Sequence, residues 1–272
     1  MIPPKPAARA GRVSLWRYAR LLRQDILSAL PERLYRARMA EFRAPFFRSV
    51  LLNEPALVAE VLKGRPGAFP KSARVTRGLR RLLGNAVFVT NGEVWARQRR
   101  LIDPAFEGGR IDQTFPAMRA AVEAAVGRLT AGEVEVEAWA SLLSADIIFR
   151  TLFSLPIEDD LAQRTYAAFR AYQRAQPVLR VLPTWRGRRE ARDLRAIIAV
   201  LVARRATEIA EGSAPDDLAT RIMTARDAGA GFSQAEMVDQ VASFFLAGHE
   251  TSAAALAAST VMVICSVVVF SP

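Results

Sequence analysis

The chain has 272 residues, of which 51% are hydrophobic, with 38 lysines and arginines against 27 aspartates and glutamates and a net charge of +11. So large an apolar share excludes a disordered chain and is enough for one large core or two ordinary ones. The only cysteine, Cys265, cannot form an internal disulfide, and with the only histidine, His249, it cannot supply the four ligands of a structural zinc site. No metal-ligand cluster is therefore predicted.

The charge is divided unevenly along the chain. Residues 1–110 carry a net charge of +14 and residues 111–272 a net charge of −3. A basic segment of this kind can bind nucleic acid or an anionic membrane. Its lysines and arginines are, however, interspersed with apolar residues, and no nucleic-acid motif accompanies them. We therefore predict a solvated basic surface and no nucleic-acid partner. Because Met1 to Arg20 contains no apolar run of signal-peptide length, the predicted location is cytoplasmic.

The sequence predicts a mainly α-helical fold with a small β portion. The predicted elements are, in chain order, a short strand over Arg48–Asn53 and helices over Glu54–Lys63, Val94–Ile102, Met118–Leu129, Ala138–Phe153, Thr165–Arg174 and Glu190–Glu211. A connection rich in proline, tryptophan and arginine over Pro177–Arg189 separates the last two of these helices.

Two segments have the spacing of a capping box, in which a Ser or Thr and a Glu three residues later satisfy each other's backbone donors. The first, Thr90–Glu93, precedes the predicted helix Val94–Ile102. The second, Ser233–Glu236, precedes a strongly apolar run from Met237 to Leu246. Each box predicts the start of a helix.

Trp95 and Arg99 are the first candidate functional residues. They stand four residues apart on a predicted helix, so they share one face. Tryptophan offers one N–H donor and arginine a planar fork of five, which together suit carboxylates that arrive from outside the helix. An aromatic–cation pair on an ordinary helix surface is the alternative.

The second candidate is the segment Ala247-Gly248-His249-Glu250-Thr251, which places a glycine and polar residues inside a long apolar helix. Glycine there costs about 1 kcal/mol relative to alanine. The Thr251 hydroxyl can bond the Ala247 carbonyl one turn earlier and bend the helix. A small gap beside an acid and an alcohol fits a bound diatomic molecule that needs protons. The alternative is a packing glycine with His249 and Glu250 on the outer surface.

In this order, Asn91–Phe106 and Phe244–Ser252 resemble the C helix and the A-G-x-E-T motif of the I helix in the cytochrome P450 family, the haem-thiolate monooxygenases. Ser144–Arg150 is similar to the family's E helix. The resemblance extends from the first strand to about Ser259. It implies the N-terminal part of the cytochrome P450 fold, an incomplete domain over residues 1–259, followed by a divergent apolar tail over residues 260–272.

The resemblance also implies roles for the candidate residues. Trp95 and Arg99 would hold the haem propionates, with Ala247 and Gly248 beside the haem. Glu250 and Thr251 would be catalytic, organising proton delivery during oxygen activation.

Two further regions receive weaker assignments from the same resemblance. A loop around Arg77–Phe88, with Phe244 and Ala247, would border a small organic substrate. Arg97 and Arg100, beside the propionate pair, would either contact a redox partner or be plain solvated arginines.

The family also needs a Glu-x-x-Arg helix and a glycine-containing loop that presents a cysteine thiolate, both after the I helix. The only Glu-x-x-Arg, Glu107–Arg110, lies upstream in a glycine turn, and Cys265 lies in an apolar run without the loop's glycines. The thiolate drives O–O cleavage in this chemistry. We therefore expect a truncated haem-dependent monooxygenase that lacks the axial cysteine, does not bind haem tightly and is inactive.

The intact parent would insert one oxygen atom of O2 into an organic substrate, using NAD(P)H-derived electrons from a partner of the ferredoxin or flavodoxin type. The apolar stretch Ala253–Phe270 leaves a second hypothesis open, because its 18 residues approach the length of a membrane span. On that hypothesis the chain is a tail-anchored helical protein without enzymatic activity, and only then is a membrane a partner.

Overall fold

A computed structural model of the chain describes residues 10–11, 13–24, 29–44, 47–107, 110–175 and 185–270, with the side chains of 262–270 outside that description. The chain forms two compact units, Met1–Pro70 and Lys71–Pro272. Helices dominate, and the sheet found in the described residues is one two-stranded hairpin. The predicted mainly α-helical fold with a small β portion is confirmed.

The first unit contains a β-hairpin between short helices. Its elements are α1 Leu15–Gln24, β1 Met39–Ala44, β2 Phe47–Leu52 and α2 Pro55–Ala59, the last continuing as a π-helical turn over Glu60–Gly64. The strands pair antiparallel, with Met39 opposite Leu52. The predicted strand and the helix after it are confirmed. Pro55 starts α2 without the loss of a backbone hydrogen bond, because an N–H group at the first helical position has no partner inside the helix.

The second unit is a bundle of helices. Its members are α3 Ala73–Leu83, α4 Gly92–Ile102, α5 Arg110–Gly127, α6 Val136–Phe153, α7 Asp160–Ala175, α8 Trp185–Ala210, α9 Leu218–Thr224 and α10 Gln234–Phe270. The core lies where α6, α7, α8 and α10 meet, and the rings of Phe149 and Phe245 pack there at a tilt of 57° with their centroids 4.7 Å apart. Each such buried ring contributes about 1.5–3 kcal/mol.

The start of α10 follows the predicted capping box. The backbone N–H of Ser233 donates to Glu236 Oε2 at 2.9 Å, and the N–H of Glu236 donates to Ser233 Oγ at 3.2 Å. The helix then runs for 37 residues, far beyond the predicted apolar segment. This box is confirmed.

Two local predictions are wrong. The N-cap of α4 is Asn91, without a side-chain cap bond. Thr90 lies one residue before this N-cap, and its hydroxyl donates to Gln98 Oε1 at 2.6 Å, giving that buried amide a partner. The loop expected around Arg77–Phe88 is helical through Leu83, since α3 occupies its first half.

The apolar end of the chain is described only in part. Among the described residues, no helix is long and apolar enough to cross a membrane. The backbone of α10 is helical through Phe270, while the side chains of residues 262–270, and residues 271–272, lie outside the described residues. Most of the connection predicted at Pro177–Arg189 also lies outside the described residues. Its last part, from Trp185, is the start of α8.

Candidate functional site

Two cations lie near the indole ring of Trp95 on α4. The Arg99 Cζ atom is 6.0 Å from the centre of the indole ring, and the Lys71 Nζ atom is 5.2 Å from it. The predicted common face of Trp95 and Arg99 is confirmed. Both cations are within the distance at which a positive charge is attracted to an aromatic ring.

Sequence reasoning missed Lys71, which follows Pro70 in a loop. Its Nζ donates to Thr90 O at 2.7 Å, and its backbone N–H donates to Asn91 Oδ1 at 2.9 Å, so the start of α4 fixes its position. Burial, and then the positive charge of Arg99, lower the pKa of Lys71. The only signal in the sequence is that lysine is rare in this arginine-rich chain.

Arg99 is paired but accessible. Its Nε lies 2.9 Å from Asp103 Oδ1, one turn later on α4, and half of its side chain is exposed. Trp95 and Arg99 form the surface aromatic–cation pair that the sequence also allowed. The arrangement presents an indole, a guanidinium and an ammonium group side by side, a donor set that fits carboxylates.

The motif on α10 divides between two faces of the helix. Ala247, Glu250 and Thr251 are exposed, whereas His249 is buried. The Thr251 hydroxyl donates to Ala247 O at 2.7 Å, as the sequence predicted. Glu250 Oε1 accepts a hydrogen bond of 2.6 Å from Gln173 Nε2 of α7. The acid is thus held toward α7 while its helix face remains open to solvent.

Gly248 lies against α6. A Cβ atom at this position would come 3.2 Å from Ile148 Cδ1, tighter than ordinary van der Waals contact. The glycine therefore lets α10 and α6 approach closely, which is the packing role that the sequence left open. Its predicted place beside haem stays a prediction.

The expectation that His249 lies on the outer surface is wrong. Its Nε2 lies 3.1 Å from Ser141 Oγ and 3.0 Å from Ser141 O, and the rings of Tyr166 and Phe169 meet it edge-on. Burial lowers the pKa of His249, with Arg170 adding to the effect, while the bond to Ser141 and the charge of Glu250 oppose it. The imidazole is therefore neutral at pH 7.

Arg97 and Arg100 bind acids within the chain. Arg97 Nη1 lies 2.8 Å from Glu236 Oε1, and its Nη2 donates to Gly231 O at 2.7 Å. Arg100 Nε lies 3.0 Å from Asp227 Oδ2. Arg97 is therefore not a plain solvated arginine, whereas Arg100 remains an exposed arginine in a surface ion pair. Contact with a redox partner stays a prediction.

Aromatic packing also joins α4 to α10. The ring of Phe106, just after α4, meets the ring of Phe244 edge-on with centroids 6.2 Å apart. Phe244, predicted to border the substrate, is therefore partly covered by this contact.

These groups fit haem in two respects. Trp95, Arg99 and Lys71 supply donors and positive charge for the propionates, and exposed Ala247 offers the small side chain that a flat ring can approach closely. A thiolate ligand for the iron is not among the described side chains, because Cys265, the only cysteine in the sequence, lies outside them.

The sequence matches the Cytochrome P450 family model over residues 39–261. It is 31% identical over 259 residues to cyclooctat-9-en-7-ol 5-monooxygenase of Streptomyces melanosporofaciens, covering 90% of this chain and 54% of that protein. It is 30% identical over 212 residues to pentalenene oxygenase of Streptomyces avermitilis, covering 74% of this chain and 47% of that protein. Cytochrome P450 72A15 of Arabidopsis thaliana is 27% identical over 237 residues, and the match covers 76% of this chain and 44% of that protein.

The chain spans about half the length of these curated relatives. The family match nevertheless covers most of the chain and includes the Trp95–Arg99 pair, the Ala247–Thr251 segment and the helical core that positions them. The chain therefore belongs to the cytochrome P450 family, whose cofactor is haem.

Proposed function

We propose that the chain supplies the propionate-binding helix and the oxygen-side helix of a haem-dependent monooxygenase. The complete enzyme would insert one atom of O2 into a small organic substrate, with electrons delivered by a ferredoxin- or flavodoxin-type protein. Family membership supports the general reaction. Two relatives are named for small organic compounds, cyclooctat-9-en-7-ol and pentalenene, which supports a substrate of that size.

The observation that carries the proposal is the proximity of both Arg99 and Lys71 to the indole ring of Trp95. Arg99 and Lys71 would neutralise the two propionates, and the indole N–H would add a donor. Asp103 holds the guanidinium through Nε, so the terminal nitrogens are oriented before a ligand arrives. Such preorganisation lowers the entropy lost on binding.

On α10, Ala247, Glu250 and Thr251 would face the chemistry. Haem supplies the activation of O2 when it is bound. The Thr251 hydroxyl can accept and donate at the same atom, and it already donates to Ala247 O. Glu250 is exposed, so its carboxylate exchanges protons with water while Gln173 holds its orientation. We assign Glu250 as the proton source and Thr251 as the group that passes the proton on.

These 272 residues alone would bind haem weakly and would not oxygenate a substrate. Propionate contacts cannot replace an axial thiolate, and Cys265 lies in an apolar run without the glycines that a ligand loop needs. We also propose that the protein is located in the cytoplasm.

Titration of the purified chain with haem, followed by absorbance, tests the propionate site. Arg99→Gln should weaken haem binding roughly tenfold, the usual cost of losing one charged contact. Arg119→Gln is the matched control, because Arg119 is also an exposed arginine paired with an acid four residues later. It should bind haem like the wild type.

Haem dimethyl ester, which has no free carboxylates, completes the test. The wild type should bind it more weakly than haem, and Arg99→Gln should bind it as the wild type does. Equal haem affinity in the wild type and Arg99→Gln would contradict the assignment of Arg99. A thiolate-type haem spectrum from the wild type would contradict the proposed absence of the axial ligand.

A further inference from the structure

A basic cavity of about 560 Å³ lies beside α3, in the second unit. Its wall contains four cationic residues and two neutral polar ones: Lys71, Arg77, Arg80, Arg81, Thr76 and Asn91. The volume lies in the range of small-molecule sites.

The chain does not neutralise these cations itself. Within the described residues, no carboxylate forms an ion pair with any of the four (Lys71, Arg77, Arg80, Arg81). Arg80 Nη2 donates to Asn85 Oδ1 at 2.6 Å, and Lys71 Nζ donates to Thr90 O, so the acceptors used are neutral.

Neighbouring α4 shows the opposite pattern. Its arginines Arg97, Arg99 and Arg100 each lie within 3.0 Å of a carboxylate oxygen. The cations of the cavity thus differ from those of the neighbouring helix α4, whose charge the chain neutralises itself.

The cations also share one face of α3. Arg77 stands three residues before Arg80 and four before Arg81, and like charges at these spacings destabilise a helix. An anion placed between these arginines would relieve this repulsion.

We propose that the cavity binds the anionic group of a small organic ligand, a carboxylate or a phosphate ester, between Arg77 and Arg81. Guanidinium forks match the geometry of both groups. Lys71 lines the cavity and also contacts Trp95, so the bound ligand lies beside the candidate haem site. That this ligand is the substrate of the monooxygenase rests on the proposed function, whereas its binding does not.

Isothermal calorimetry of the purified chain with octanoate, octan-1-ol and octylammonium tests the proposal without haem. Octanoate should bind at one site, and its affinity should fall as salt is added because the contacts are charged. Octan-1-ol and octylammonium should bind about tenfold more weakly than octanoate, or more weakly still, since they lack the anionic group. Equal affinity for octanoate and octan-1-ol would overturn the proposal.

Variants locate the site. Arg77→Gln and Arg81→Gln should each weaken octanoate binding roughly tenfold, and Arg119→Gln should leave it unchanged. Both replaced arginines are exposed on α3, and circular dichroism verifies that the variants fold. Octanoate binding that survives both substitutions would overturn the proposal.

Haem titration of the same variants separates this cavity from the propionate site. Arg77→Gln and Arg81→Gln should keep haem affinity, and Arg99→Gln should keep octanoate affinity. If Arg77→Gln and Arg81→Gln lost haem and octanoate together, the cavity would belong to the haem site and the proposal would be wrong. If the wild type bound octanoate but no haem, the proposed function would fail while this inference stood.

Discussion

Arg97 and Glu236, which are 139 residues apart in the chain, form an ion pair with 2.8 Å between Nη1 and Oε1. Arg97 lies two residues after Trp95 on α4, and Glu236 completes the capping box at the start of α10. One carboxylate therefore both caps the start of α10 and pairs with α4. Together with the contact between Phe106 and Phe244, this pair orients the two helices relative to each other.

Arg97→Gln should lower the free energy of unfolding by about 1 kcal/mol, the upper end for a partly exposed pair. Burial acts to raise the pKa of Glu236, but hydrogen bonds from Ser233 and Arg97 outweigh it and the pKa is lowered. A carboxyl with a lowered pKa stabilises the fold above its ordinary pKa of 4.5 and loses that contribution as the pH falls through the folded value.

The difference in unfolding free energy between wild type and Arg97→Gln should therefore be largest near pH 7 and shrink toward about pH 3. Urea unfolding followed by circular dichroism measures it. Arg100→Gln is the control, because the pair of Arg100 with Asp227 is more exposed on the arginine side and should contribute less. A difference that does not change with pH would argue against the role of Glu236.

Gly84 and Gly78 should respond to alanine in opposite directions. Gly84 has a φ of +52°, and a Cβ there would lie 2.1 Å from Asp239 Oδ1, in the carboxylate that Arg195 and the N–H of Asn85 hold. Gly84→Ala should cost about 2–4 kcal/mol of unfolding free energy, from backbone strain and loss of these bonds.

Gly78 lies inside α3 with nothing within 4 Å of the Cβ position. Gly78→Ala should therefore stabilise the chain by up to about 1 kcal/mol through helix propensity. Thermal unfolding of both variants measures the contrast. A Gly84→Ala variant that melts at the wild-type temperature would show that Asp239 yields without cost.

The long apolar helices could be predicted from the sequence, and so could the arginine-rich helices α4, α7 and α8, but α3 could not. Helices α6 and α10 carry apolar residues over many turns, and Ser233 with Glu236 marks where α10 begins. Helix α3 was missed because repeated arginines obscure its apolar side, where Leu82 and Leu83 are fully buried. Strand β1 was missed because it is recognisable mainly through its pairing with β2.

Within the candidate site, the sequence revealed what lies on one helix and missed what depends on tertiary contacts. Trp95 and Arg99 are linked by helical spacing alone. Lys71 reaches the indole only because the loop before α3 is bonded to Asn91. The alternative that put His249 on the surface failed because His249 stands next to polar Glu250 and Thr251, and the sequence does not show that it faces Ser141.

Thr251→Val should change the unfolding free energy by no more than about 0.5 kcal/mol, because the residue is exposed and valine keeps its shape. The hydrogen bond to Ala247 O is lost, but that carbonyl remains within the helix ladder. Urea unfolding measures the effect. A loss well above this value would show that Thr251 has a structural role on α10.

The pH dependence of stability near neutrality should come from His249, the only histidine in the sequence. Its pKa is lowered from the ordinary value of 6.5, mainly by burial. As the pH falls below 6.5, the unfolded chain gains a proton that the folded chain does not accept until a lower pH. Stability is therefore highest above pH 6.5 and should fall as the pH drops, by at most about 1.4 kcal/mol per pH unit.

His249→Gln should remove this dependence, because glutamine does not titrate and its amide N–H can still donate to Ser141 O. The variant should be less stable than the wild type near pH 8, and the two unfolding free energies should approach each other as the pH falls to about 5.5. Urea unfolding across this range measures both. The neighbouring charges, Arg170 on α7 and Glu250 on α10, are unchanged in the variant, so a persisting slope would assign the effect to another group.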